Sequence, residues 1–344
     1  MFMSGKIGVL VQMKNFITKP YRYAMVFSLL LILAVIFILL DTFVIPKSYQ
    51  AIVPEKQNIV DSGINKTDDE EESGTYDIDS ELADETTDEK DELPQQDNAN
   101  TDSVITTDSY EDSNIKIKIS TIRAYESNVY IADIEVSDVS YLKTALAGDV
   151  FGRNIKDTTS EIAEEHQAIF AVNGDFYGFR DYGYVLRNGV LYRDVAGDAE
   201  ALLIDKDGDF SIMEESDIDL STIEYSSLWQ IMSFGPALIN AGEVVVDSNS
   251  EVARSMSSNP RTAIGEISPL HYIIVVSDGR TDESAGLSLL ELAQVFLDQG
   301  CVTAYNLDGG GSSTMYFNGE IVNVPTDGRT LKEREVSDIV YIGY

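Results

Sequence analysis

Cysteine occurs once in the 344 residues, histidine twice and tryptophan once, while lysine and arginine number 24 against 59 aspartates and glutamates. The single Cys301 excludes a disulfide-stapled scaffold, and because no cysteine stands directly after the one long apolar run, lipoprotein processing is excluded too. At the start of an apolar segment, Cys301 reads as a small buried hydrophobe. Two histidines and one cysteine are too few for a zinc centre. His166 falls in an amphipathic helical pattern and His271 at a strand start, so both read as structural. The net charge of −35 comes without a basic patch, and that absence removes nucleic acid from the partners.

What is present is unevenly placed. Residues 1–23 carry Lys6, Lys14, Lys19 and Arg22 and no acid. The apolar run AMVFSLLLILAVIFILL follows and, with Phe43, Val44 and Ile45, approaches the roughly 20 residues that cross a bilayer as a helix. It exceeds the usual 7–15 apolar residues of a cleaved signal peptide, and no small-x-small site follows it closely. The expectation is a single-pass signal anchor over 24–45, with a cytoplasmic head over 1–23 and the rest exported to a bacterial cell surface. From Glu55 to Asp112 there are 21 acids and 3 bases, too polar a composition to bury a core. Residues 46–113 are therefore expected to be a disordered linker that stays extended and holds the globule away from the membrane.

Residues 114–344 hold nearly all the strand-type alternation. NVYIADIEV, Asn128 to Val136, alternates at period two. Asn188-Gly189, Asp207-Gly208 and Asn318-Gly319 each divide two such runs and predict two-residue hairpin turns. TSEIAEEHQ predicts one helix. SLLELAQVFLDQG predicts another, with Ser288 and Glu291 at capping-box spacing, Leu289, Leu292, Ala293 and Phe296 on one face, and Gly300 closing its end. The fold class is α+β: mostly antiparallel or mixed β-sheets with a few packed helices, in one globular domain after the membrane helix and linker.

Four polar clusters end or interrupt the strands: NGDFYG (Asn173 to Gly178), NPRTAIG (Asn259 to Gly265), SDGR (Ser277 to Arg280) and NLDGGGSS (Asn306 to Ser313). The last is not a P-loop, since Gly311 rather than lysine precedes Ser312 and a β-type run follows. Nor is it a nucleophile elbow, since Thr314 stands where G-x-S-x-G needs glycine. What remains is a run of backbone amides and hydroxyls beside a carboxylate, suited to phosphate oxygens, with Arg261 and Arg280 to complete a bidentate grip. Asp175, Asp278 and Asp308 are open to acid/base or nucleophilic work on a sugar, or to holding a divalent cation such as calcium or magnesium. No cofactor is required.

These clusters, with VNVP, EREVSDIVYIGY and above all the block GLSLLELAQVFLDQGCVTAYNLDGGGSSTMYFNG, resemble the phosphodiester glycosidase family, known in bacteria from exopolysaccharide-related proteins. The resemblance covers about Ala168 to Tyr344, and the head, span and acidic stretch lie outside it. It implies hydrolysis of the bond between a sugar anomeric carbon and a phosphodiester oxygen. A departing phosphate has a second pKa of about 6, so such a reaction needs charge stabilisation more than a strong general acid. Carried over by position, Asp308 stands nearest the anomeric centre, with Asp278 and Arg261 beside it in catalysis. Gly309, Gly310, Gly311, Ser312 and Ser313 cradle phosphate, and Asn306 leads into that loop. Thr262 grips phosphate or sugar, and Arg280 joins Asp278 as a second wall. Asn173, Asp175 and Tyr177 line the sugar side, and Asn323 and Arg334 close the pocket. Asp175 departs from the family pattern, which leaves it as an added cation ligand or a turn acid.

Three readings follow: an exported hydrolase of sugar-1-phosphodiesters in surface or exopolysaccharide glycans, a non-catalytic protein binding anionic glycan during surface-polymer assembly, and an adhesin whose loops are only turns.

Overall fold

Alternation decides where each strand's side chains go. In the strand Ser127–Val136, Tyr130, Ala132, Ile134 and Val136 enter one core, and Val129 and Ile131 another. That strand lies inside a nine-stranded sheet whose central strands, Arg261–Ser268 and His271–Ser277, are buried on both faces. On one side, its core is shared with Phe170 and Val172 of one five-stranded sheet and Leu202 and Ile204 of a second. Among the described residues, all the ladders are antiparallel. The computed structural model describes residues 20–52, 103–220, 223, 225–247 and 258–344.

The other face of the large sheet is covered by a helix. Three α-helices are described: α1, Pro20–Phe43; α2, Thr159–Glu165; and α3, Leu289–Asp298. The expected capping box of Ser288 with Glu291 forms in α3, and a second one, not anticipated, forms in α2 between Thr158 and Glu161. Leu289, Leu292, Ala293 and Phe296 of α3 pack on Val129, Ile273 and Val275 of the sheet. Each large side chain buried in this way contributes about 1.5–3 kcal/mol. Cys301 is buried in the same core, and burial pushes its thiol up to about 12.

Two of the expected hairpins have two-residue turns, with positive φ at Asn188 and Gly189 and at Asn318 and Gly319. The third differs. Between Ile204 and Phe210 the Asp205 carboxylate accepts the amides of Asp207 and Asp209, so a longer Asx-type turn replaces the tight one. His166 ends α2 beside Asp149, and His271 opens its strand paired with Asp133, both outside the site described below.

Helix α1 is long and apolar enough to cross a membrane by length and composition. The residues after it differ from the expected linker. Lys47–Ser48 forms a ladder with Gly152–Arg153, Tyr49 donates its amide to Phe151, and Ile52 donates its own to Leu191. Beyond the residues not described, Val104–Ile105 and Ser109–Glu111 add the outer strands of the nine-stranded sheet. Because Lys47–Ile52 already docks on the domain, the acidic stretch does not set the separation of helix and domain. Most of that stretch, 53–102, lies outside the described residues, as does the head over 1–19.

Candidate active site

Strand Thr303–Asn306 runs inside the nine-stranded sheet, and strand Met315–Phe317 belongs to a five-stranded one. The chain crosses between them through Leu307, Asp308 and a 3-10 turn, Gly310–Ser312. This change of sheet explains why strand-type segments flank so many glycines. The Leu307 amide donates to Thr262 and the Asp308 amide to Gly174. Asn173 ties the crossing down: its Nδ2 donates to the Asp308 carbonyl at 2.6 Å, and its Oδ1 accepts Thr262 Oγ1 at 2.8 Å and the Thr314 amide at 3.3 Å. Asn173 and Thr262 therefore sit behind Asp308 as buried staples rather than on a cavity wall.

The Asp308 carboxylate is held at both oxygens. Oδ1 accepts the Gly309 amide at 2.9 Å and Oδ2 accepts Ser312 Oγ at 2.6 Å. Burial pushes its pKa up to about 6, although the Ser312 bond, Arg334 and Arg180 pull the other way. The group thus titrates near neutrality, as an acid, base or nucleophile working at that pH should.

Asp308 lines two cavities. The larger, about 680 Å³, has Arg261, Arg280, Asn306, Gly309 and Gly310 on one side and Asp198, Glu200 and Glu214 on its walls, with Phe234, Pro236 and Leu289 between. The smaller, about 240 Å³, is lined by Phe176, Phe179, Ser312, Arg334 and Asp338. Phe176 and Phe179 are stacked with ring centroids 4.4 Å apart. Arg261 opens its strand and donates from Nε to the Leu287 carbonyl at 2.9 Å. Arg280, at φ 62°, is braced by Asn259 Oδ1, 3.1 Å from Nη2. Burial, with Arg334 nearby, pulls the Arg280 pKa down. Arg334 pairs with Asp327 at 2.9 Å. Asn306 donates from Nδ2 to the Gly235 carbonyl, which leaves its buried Oδ1 without a hydrogen-bond partner.

Several expected positions differ. The loop is not the open cradle expected, because two of its three glycine amides are already bonded within the protein. Gly309 donates to the Asp308 carboxylate, Gly310 to the Pro260 carbonyl, and Ser312 and Ser313 close the 3-10 turn onto Gly309 and Gly310. The loop still faces the larger cavity, and the glycines there serve close packing. A Cβ on Gly311 would lie 2.4 Å from Arg334 Nη2, and one on Gly310 2.8 Å from Arg280 Nη2. Ser313 is fully buried.

Asp175 does not line the sugar side. It is buried, paired with Arg187 at 2.8 Å, and accepts the amides of Tyr177 and Ser233. Tyr177 is buried against Phe151, with ring centroids 5.1 Å apart. Asp278 lies behind the loop, accepting from Tyr130, Asn323 and the Val324 amide, so it forms no second wall with Arg280. Asn323 is a staple of the same kind, since its Oδ1 accepts the Met315 amide and its Nδ2 reaches Ser313 O. Polar residues at strand ends look alike in sequence whether they face a cavity or brace the loop from behind.

The residues not anticipated are Arg180, Phe176, Phe234, Arg187 and Asp338. Arg180 donates to Ser233 O and lies 4.9 Å over the Phe234 ring. Arg187 binds Asp338 as well as Asp175, 3.0 Å from Asp338 Oδ2, while Asp338 Oδ1 has no hydrogen-bond partner. Burial beside Asp175 drives the Asp338 pKa up. The available signal is the charge of Arg180 just after NGDFYG and of Asp338 inside EREVSDIVYIGY. Among the described residues, no group of three or more His, Cys, Asp or Glu is arranged to hold a metal ion.

Comparison with known proteins fits this geometry into a family. The family model described as phosphodiester glycosidase matches residues 166–343, just over half of the chain. The SPbeta prophage-derived uncharacterized protein YomE of Bacillus subtilis is 30% identical over 202 residues, 56% of this chain and 31% of that protein. Human N-acetylglucosamine-1-phosphodiester alpha-N-acetylglucosaminidase is 34% identical over 105 residues, 29% of this chain and 20% of that enzyme. The matched part is thus less than a third of either relative's length. The zebrafish N-acetylglucosamine-1-phosphodiester alpha-N-acetylglucosaminidase catalytic domain, auto-inhibited by its pro-peptide, shares the fold, with TM-score 0.54 and 24% identity over 67% of this chain and 83% of that one. By sequence and by fold, this chain belongs to the phosphodiester glycosidase family.

Proposed function

We propose that the chain is a membrane-anchored, extracellular hydrolase that cleaves the glycosidic bond of sugar-1-phosphodiesters in surface or exopolysaccharide glycans, releasing the sugar and a phosphomonoester. One observation carries this reading: a carboxylate titrating near neutrality, Asp308, lies at the junction of two cavities of different chemistry. The phosphodiester lies against Arg261 and Arg280 in the larger cavity, and the sugar ring occupies the smaller one beside the stacked Phe176 and Phe179.

This places the anomeric carbon beside Asp308. The bond from that carbon to the phosphodiester oxygen breaks, its electron pair leaves with the phosphate, and water supplies the new bond to carbon while giving up a proton to Asp308 or to solvent. The guanidiniums take up the charge gained by the phosphate. Such preorganised donors are typically worth 10²–10³ in rate, or about 2.7–4 kcal/mol. Asp308 stabilises the positive charge that develops on the sugar, as base or nucleophile, and Ser312 orients it. Charge handling by arginine leaves no task that requires a divalent cation, and undiminished turnover in EDTA checks this.

The test is release of sugar from N-acetylglucosamine-1-phosphate methyl ester and from other hexose-1-phosphate methyl esters by the full chain in detergent. Turnover that disappears in Asp308→Asn supports the reading. Saturable binding without turnover favours the glycan-binding alternative, and neither binding nor turnover contradicts both.

A further inference from the structure

The mount of the domain on α1 has a functional meaning. Only Val44, Ile45 and Pro46 separate the end of α1 from the strand Lys47–Ser48. Asn154 Nδ2 donates to the carbonyls of Thr42 at 3.2 Å and Ile45 at 3.1 Å, and Lys47 pairs with Asp41 at 2.8 Å. The ladder to Gly152–Arg153 is close-fitting, since a Cβ on Gly152 would lie 2.0 Å from the Lys47 carbonyl oxygen. A helix end joined to a domain by a ladder, side-chain bonds and tight packing is a fixed mount, not a flexible tether.

From this mount a short run of contacts leads to both cavities. A Cβ on Gly178 would lie 3.4 Å from the Gly152 carbonyl oxygen, and Arg153 pairs with Asp181 at 3.0 Å. The loop so held carries Phe179 at the mouth of the small cavity. Tyr182 follows Asp181 and lies against Gly197, whose neighbour Asp198 borders the large cavity. Phe179, Tyr182 and Val195 are 37%, 52% and 49% exposed, so apolar and aromatic side chains stand among the exposed acids Asp181, Asp194 and Asp198 on the strip between helix end and cavities. Aromatic side chains of this kind settle at the boundary of a bilayer, where one end is apolar and the other wet.

We infer that the domain holds its catalytic cavities at the membrane surface and that its substrate is a lipid-linked sugar phosphate, a sugar-1-phosphodiester whose second ester is to a membrane-embedded alcohol. This deepens the proposed hydrolase and rests on that reading and on α1 spanning a membrane. A fixed mount restricts the cavities to the layer next to the bilayer. Within that layer the phosphodiester of a lipid-linked sugar sits at the headgroup level, with its hydrocarbon tail beneath the Phe179–Tyr182 strip.

The experiment uses the full chain in phosphatidylglycerol vesicles and two probes with the same sugar phosphate, one esterified to methanol and one to a long-chain alcohol inserted in the bilayer. The comparison protein carries a ten-residue Gly-Ser insertion after Ile45, which frees the mount while Lys47–Ile52 stays docked. A nitrobenzoxadiazole dye on Tyr182→Cys, with spin-labelled lipid as quencher, reports proximity to the bilayer without reference to turnover. The expected result is quenching in the parent that falls at least twofold in the insertion protein. Alongside it, hydrolysis of the lipid ester should fall at least tenfold while that of the methyl ester stays within twofold. An unquenched parent, or equal turnover of the lipid ester by both proteins, overturns the inference while leaving the hydrolase standing. A parent that is quenched yet hydrolyses neither ester overturns the hydrolase reading and the substrate assigned here, and leaves only the mount.

Discussion

The Ser312 hydroxyl donates to Asp308 Oδ2 at 2.6 Å across the turn opened by the three glycines. The bond favours the ionised carboxylate, opposing the burial that raises its pKa. Ser312→Ala removes this donor and should raise the Asp308 pKa further above about 6. A hydrogen bond to a charged group is worth about 1.5–3 kcal/mol and a pKa unit 1.36, so a shift of about one to two units is expected. The acidic limb of the kcat/KM profile should move up accordingly, and an unmoved limb separates Ser312 from the working carboxylate.

Asp308 also links the site to stability. Its folded-state pKa is raised from 3.8 to about 6, so the native state holds the proton more tightly than the unfolded chain. Stability tied to this group is complete below pH 3.8 and is lost as pH rises through about 6. Above that pH, Asp308→Asn should be more stable than the parent by roughly 1–3 kcal/mol, and inactive. Denaturant midpoints at pH 4 and pH 8 measure this: the gain should appear at pH 8 and shrink at pH 4. An equal midpoint at pH 8 would remove the burial argument.

Arg280 combines a guanidinium at the cavity with a left-handed backbone, φ 62°. Arg280→Gly removes the charge and relieves the conformation. Turnover should fall about 10²-fold, with unchanged or improved thermal stability. Competitive inhibition by inorganic phosphate should weaken in parallel. Loss of activity accompanied by loss of folding would point to a structural role.

Arg187 neutralises two buried carboxylates, Asp175 and Asp338. Arg187→Met leaves both without their ion pair and should destabilise the domain by about 3–5 kcal/mol. Adding Asp175→Asn and Asp338→Asn to that variant should recover much of the loss. A single substitution that costs less than about 1 kcal/mol, the range of surface pairs, would show the triad to be solvated.

Much of the scaffold was legible because its signals are local. The Asn188-Gly189 and Asn318-Gly319 turns and the Ser288–Glu291 cap depend on residues a few positions apart. The docking of Lys47–Ile52 was hidden, because a two-residue ladder to Gly152–Arg153 leaves no periodic trace in the sequence. The site was legible to the level of its loops. Asp308, Arg261, Arg280 and Arg334 do border the cavities, whereas Asp175, Asp278, Tyr177 and Asn323 brace the same loops from behind. Side-chain direction at a strand end depends on which sheet the chain enters next, and that information is tertiary.

The proposed reaction requires Asp308 at the anomeric centre, between a phosphate cavity and a sugar cavity. A crystal structure of the Asp308→Asn protein soaked with a sugar-1-phosphodiester measures this directly. Phosphate oxygens are expected within hydrogen-bond reach of Arg261 and Arg280, the ring beside Phe176 and Phe179, and the anomeric carbon next to residue 308. A ligand seated with its anomeric carbon away from residue 308, or with its phosphate remote from both arginines, would contradict it.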